Sequence, residues 1–122
     1  MFRDSFYKVN SSVKEGLGSF TSTITIDKAH PIFKGHFPAV PVVPGVVMMQ
    51  TVKELVEGEL QKQLRLVEAG SVKFLSVVNP NDVQQLTVTI KYLLNDNNTY
   101  RVDAAITSGQ VTYFKLAKAI FK

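Results

Sequence analysis

An α+β domain, with one antiparallel sheet curved around a single long helix, is predicted by three observations on this 122-residue sequence. Short runs of alternating apolar and polar residues recur on both sides of residue 45. One stretch alone, Gly45 to about Lys62, carries long helical spacing. Finally, turns rich in Gly, Asn and Asp separate consecutive runs, and connections that short force neighbouring strands antiparallel. A hydrophobic content of 45% and a length near that of one average domain predict a single unit over 1–122, with a core large enough to need no staples.

Residues 5 to 13 alternate weakly, with Tyr7, Val9 and Val13 on one side, and the Glu15-Gly16-Leu17-Gly18 run has turn chemistry. From Ser19 to Asp27 the alternation is clean: Phe20, Ser22, Ile24 and Ile26 share one face, and Thr21, Thr23 and Thr25 take the wet one. Within the helix, Val46 to Met49 is apolar all round and is expected to be buried, while Val52, Leu55, Val56 and Leu60 continue a core stripe. Gln50, Glu54, Glu57 and Gln61 form a second stripe, whose plain reading is a solvated face. Beyond the helix every element reads as a strand: Leu64 to Glu68, Val72 to Val78, Gln84 to Leu94, Thr99 to Thr107 and Val111 to Phe121. The last carries apolar residues on both sides, including Tyr113, Phe114, Leu116, Ile120 and Phe121, which predicts that self-association covers some of them.

Composition removes several classes of function. There is no cysteine, and so no disulfide, thiolate nucleophile or cysteine-based metal site. No apolar run reaches the ~18 residues of a membrane-spanning helix and none near Met1 has signal-peptide character, so a cytoplasmic protein without a membrane association is the expectation. The net charge of +4 comes from fourteen basic residues scattered from Arg3 to Lys122. A nucleic-acid-binding face would group them on one element, so no nucleic-acid partner is expected.

The segment from His30 to Pro44 holds both histidines and four of the five prolines. Each proline fixes φ and biases its predecessor toward extended backbone, so a stiff loop leads into the helix. Gly35 precedes His36, and Phe37-Pro38 follows it. A histidine titrates near neutral pH and suits proton transfer, and the unpaired amides at a helix start suit an oxygen gaining negative charge. The bland alternatives are a loop histidine bonded to backbone and a Gln50 that is simply solvated. His30, just before Pro31, carries no assigned role.

Gly35-His36-Phe37-Pro38, then Pro41, then Pro44-Gly45-Val46 opening the helix, resembles the 3-hydroxyacyl-[acyl-carrier-protein] dehydratases, which are hotdog folds. Lys73-Phe74 and Pro80-Asn81-Asp82 match weaker family features. The resemblance covers most of the chain, although the first fifteen residues add nothing specific to it. It implies a homodimer with sheets joined edge to edge, or a trimer of such dimers, acting on an acyl thioester held by acyl carrier protein. No cofactor or metal is implied. His36 would remove the α-proton of a (3R)-hydroxyacyl thioester, Gly45 would donate its amide to the thioester carbonyl, and Phe37 would line the substrate. The family places an acidic residue, contributed by the second subunit's helix, fourteen positions after the histidine, and often a glutamine four residues later. Here those positions hold Gln50 and Glu54, so the pair looks exchanged. An amide orients a hydroxyl but gives up no proton. The spacing therefore leaves open a slower dehydratase, one in which Glu54 supplies the carboxylate, a non-catalytic acyl-binding or partner subunit, and an acyl thioesterase.

Overall fold

The computed structural model describes residues 1–34 and 41–122. Two strands come first, β1 (Tyr7–Lys14) and β2 (Ser19–Ile26), then a single 3-10 turn (Pro31–Phe33) and the helix α1 (Gly45–Leu60). Five strands follow: β3 (Leu66–Glu68), β4 (Ser71–Phe74), β5 (Gln85–Leu94), β6 (Tyr100–Ser108) and β7 (Val111–Phe121). All pair antiparallel in one seven-stranded sheet of order β1-β2-β5-β6-β7-β3, with β4 also paired to β7. One long helix packed against such a sheet is the hotdog fold. None of the described helices is long and apolar enough to cross a membrane.

The expected alternation positions the core. Phe20, Ile24 and Ile26 of β2 face inward beside Leu86, Val88 and Ile90 of β5, and the threonines between them face out. Val47, Met48, Val52, Leu55 and Val56 of α1 close this face from the other side. The sixteen residues of α1 span ~24 Å, enough to cross the sheet. Gln61 ends the helix with φ 54°, its amide donating to the Glu57 carbonyl.

Four expectations are corrected. Val46 is 75% exposed, because the start of the helix meets the core through Val47 and Met48, with Met49 partly buried against it. Glu54 is buried rather than part of a wet stripe. The strand expected to reach Val78 stops at Phe74, where the amides of Leu75 and Ser76 both turn to the Tyr113 carbonyl and the ladder ends; Val78 then re-enters the core by accepting from the Val43 amide.

The fourth concerns the two apolar sides of β7. Ile106 pairs with Phe114 while Thr107 pairs with Thr112, so Tyr113 is an extra residue in a bulge. A second irregularity lies between Leu116 and Ala119, where Lys118 takes φ 57° and donates its amide to Asp103 Oδ1 at 3.0 Å. These bulges let Tyr113, Phe114, Leu116 and Phe121 all bury within the chain. No second subunit is needed to cover them. Three of the large exposed apolar side chains, Phe74, Leu75 and Val77, lie together at β4 and just after it.

Candidate active site

Four residues carried the expected chemistry. His36 and Phe37 lie outside the described residues. Gly45 and Gln50 lie on α1, the glycine as its first residue and the glutamine in its second turn, half-buried.

Proline at the helix start explains the local geometry. Pro44 is extended (φ −61°, ψ 144°) and offers no capping side chain, and its carbonyl accepts from Val47 and Met48 at 3.0 and 3.3 Å. The amides of Gly45 and Val46 therefore have no acceptor among the described residues. The first turn contains no acidic side chain to neutralise them. What the helix start offers chemically is two amide donors at the positive end of a dipole. Gly45 has a packing reason to be glycine as well: a Cβ there would sit 2.5 Å from Cε1 of Phe74, whose ring lies over the helix start and tilts against Phe114 at 5.5 Å.

Around Gln50 the structure assembles a cluster that the sequence spacing only hinted at. Gln50 Nε2 donates to Glu54 Oε2 at 3.0 Å, one turn along the helix. Glu54 also accepts from the Phe2 amide at 3.1 and 2.9 Å, from the Arg3 amide at 2.8 Å and from the Tyr7 hydroxyl at 3.1 Å. The Met1 amine lies 3.3 Å away. A carboxylate has about four lone-pair sites, so this one is saturated.

Electrostatics follow the geometry. Burial pushes the Glu54 carboxyl up, but the hydrogen bonds from Phe2, Gln50, Arg3 and the amino terminus outweigh it and hold the group below its ordinary 4.5. Burial, then the Glu54 charge, push the Tyr7 phenol far up, so it stays a neutral donor. In this structure Glu54 is an acceptor that ties the first residues to α1. His30 has a structural role, its Nδ1 accepting from the Ile32 amide at 3.1 Å and its ring packing edge-on against Phe2 and Phe6. Sequence reasoning missed Tyr7 and the Phe2 and Arg3 amides. No spacing signal exists for them, since they meet Glu54 across about fifty residues of chain.

Residues 12–112 match the family model described as ApeI-like: ApeI dehydratase. The 3-hydroxyacyl-[acyl-carrier-protein] dehydratase FabZ of Xanthomonas campestris pv. campestris (strain B100) is 30% identical over 92 residues, 68% of this chain and 59% of the relative. The FabZ of Rickettsia bellii (strain OSU 85-389) is 32% identical over 80 residues, 59% of this chain and 55% of the relative. The chain thus spans less than two thirds of the length of these curated relatives. Among solved structures, an uncharacterized protein from Erwinia carotovora subsp. atroseptica superposes with a TM-score of 0.67 at 15% identity, covering 95% of both chains. The dehydratase heterocomplex ApeI:P from Xenorhabdus doucetiae gives 0.63 at 20% identity, covering 92% of this chain and 96% of that one. Both share the fold.

Proposed function

The chain belongs to the ApeI-like dehydratase family, and from that premise we propose that it is a hydro-lyase converting (3R)-hydroxyacyl thioesters on acyl carrier protein to trans-2-enoyl thioesters. The observation that carries this reading is the family match across residues 12–112, which includes the loop and the helix start. Fatty acid or polyketide-like synthesis is the setting in which such a step is used.

The proposed chemistry uses side chains and amides alone. The Gly45 amide holds the thioester carbonyl, stabilising negative charge as the α-proton leaves. His36 takes that proton, the C2–H electrons form the C2=C3 bond, and the C3–O bond breaks. The departing hydroxyl needs a proton to leave as water. Gln50 has none to give, so the imidazolium of His36 returns the one it took. Phe37 lines the acyl chain.

The active unit is a homodimer joined at β4. Supporting this, β4 is paired only on its β7 side among the described residues, and Phe74, Leu75 and Val77 are exposed there.

A second reading, a non-catalytic acyl-binding or partner subunit, is favoured by one observation: position 50 is an amide and the nearest carboxylate is occupied by the amino-terminal donors. One assay separates these. Purified protein given a 3-hydroxyacyl thioester, or the matching enoyl thioester, should interconvert them, and His36→Ala should abolish the reaction. Release of free thiol would instead indicate thioester hydrolysis. Acyl binding without turnover would establish the second reading.

A further inference from the structure

We infer that Glu54 is a positioning residue that fixes the amide orientation of Gln50, so that the atom offered at position 50 to a bound acyl chain is the carbonyl oxygen, an acceptor for the chain's 3-hydroxyl. This rests on the acyl-thioester reading of the site and assigns the specificity for a hydroxylated chain to the pair.

A glutamine amide has two chemically opposite ends, and nothing in its own shape decides which faces a ligand. Here the neighbour decides. Glu54 is held as a carboxylate by the Phe2 and Arg3 amides and the Tyr7 hydroxyl, and an ionised carboxylate only accepts. The nitrogen of Gln50 must therefore face it, as the 3.0 Å contact from Nε2 to Oε2 has it. A planar amide then carries its oxygen on the opposite side. Glu54 in turn has little freedom: it is 7% exposed and gripped from the amino-terminal segment, from β1 and from its own helix. Turning the Gln50 amide over would set its oxygen against a carboxylate and leave both without a donor between them.

The consequence is a division of labour within the exchanged pair. Position 54 holds the charge but spends it on orientation, and position 50 meets the ligand without charge. An acceptor at position 50 takes the hydrogen of a 3-hydroxyl and has nothing to offer a saturated chain, so the pair discriminates by the presence of that hydroxyl.

The test uses the full chain and two non-eliminating ligands, the amide analogues of 3-hydroxyoctanoyl- and octanoyl-N-acetylcysteamine, in which NH replaces the thioester sulfur. The wild-type protein should bind the hydroxylated analogue about tenfold more tightly, in line with one hydrogen bond to a fixed partner. Glu54→Gln and Gln50→Met should each bring that ratio to near one. Tyr7→Phe, which removes an anchor of Glu54 but not the Gln50 contact, should lower stability and keep the ratio. A ratio unaltered in Glu54→Gln, an absent ratio in the wild type, or a parallel loss of both affinities in Glu54→Gln would each overturn the inference.

A measurement without ligand covers a Glu54→Gln variant that does not fold. In NMR spectra of the wild type, the Gln50 side-chain NH2 pair, assigned by its loss in Gln50→Met, should follow the titration of Glu54. Among the described residues, the other titratable groups in contact with that carboxylate are the Met1 amine and the Tyr7 hydroxyl. An NH2 pair indifferent to acid pH would also overturn it. Lack of turnover with the thioesters, by contrast, removes the dehydratase reading and leaves the binding ratio to decide the pair.

Discussion

Tyr7 reaches Glu54 from β1, and its hydroxyl is one of several donors that make a buried carboxylate tolerable. Removing that hydroxyl leaves Glu54 with its backbone donors, so the cost is one charge-assisted hydrogen bond and not an orphaned anion. Tyr7→Phe should therefore lower unfolding free energy by about 1.5 to 3 kcal/mol in urea titrations, at the lower end if the Arg3 amide tightens in compensation. The charge itself is read by pH. The folded-state pKa of Glu54 lies below its ordinary 4.5, so its contribution is fully present above that value and is lost as pH falls through the folded pKa. Glu54→Gln should accordingly be less stable than the wild type at about pH 7, and the gap should narrow steadily below about pH 4.5. The Met1 amine and the Tyr7 hydroxyl face this carboxylate. A gap that stays constant to about pH 2 would mean that the charge is not what holds the amino-terminal segment.

At the level of elements, two glycines with nearly the same backbone make a paired test. Gly70, between β3 and β4, has φ +66°, and Gly109, between β6 and β7, has φ +57°. A side chain at Gly109 would meet nothing within 4 Å, so Gly109→Ala should cost only the left-handed penalty of about 1 to 2 kcal/mol. At Gly70 a Cβ would run into the carbonyl oxygens of Ala117 and Lys118, which are backbone atoms of the β7 bulge and cannot swing away. Gly70→Ala should cost more than about 3 kcal/mol in the same unfolding measurement, the steric displacement adding to the left-handed penalty. Equal losses at the two sites would show that the bulge yields. This contrast also marks where sequence reading stops. The turns rich in Gly, Asn and Asp were legible from composition, and the inward face of β2 from its alternation, because each is a local pattern. The bulges of β7 were not. Whether Tyr113 is an extra residue depends on its register with β6, and whether Lys118 can hold a positive φ depends on Asp103 across the ladder, neither of which leaves a trace in local alternation. For the same reason, apolar residues on both sides of β7 suggested an interface where the chain buries them itself. The helix start was legible through its prolines and Gly45. The carboxylate cluster was not, because its donors are backbone amides, which every residue has.

For the whole molecule, the β4 edge is one that the described residues leave uncovered. An exposed edge strand carrying apolar side chains is a standing invitation to pair, and charged side chains are the usual means of blocking it. Here the opposite holds over a short span: Phe74, Leu75 and Val77 are 57, 52 and 64% exposed, with Lys73 the only charge between Ser71 and Val78. Pairing of two copies about a twofold axis would set this patch against itself, which is why lysines there should be far more disruptive than on a surface that stays wet. Leu75→Lys with Val77→Lys brings four added charges together in a dimer but only exposes two in a monomer. The double variant should sediment as a monomer where the wild type sediments as a dimer, or as a hexamer if dimers associate further. Its far-UV circular dichroism should be unchanged, because both residues lie outside the strands and the core. The resemblance implies that position 50 comes from the second subunit's helix, and with Gln50 holding the 3-hydroxyl there, turnover should fall with the dimer fraction and rise in mixtures of two impaired chains, one His36→Ala and the other Gln50→Ala, that assemble on wild-type edges. A double variant that remains dimeric would move the interface away from β4. A monomer with full turnover would place both groups of the site within one chain.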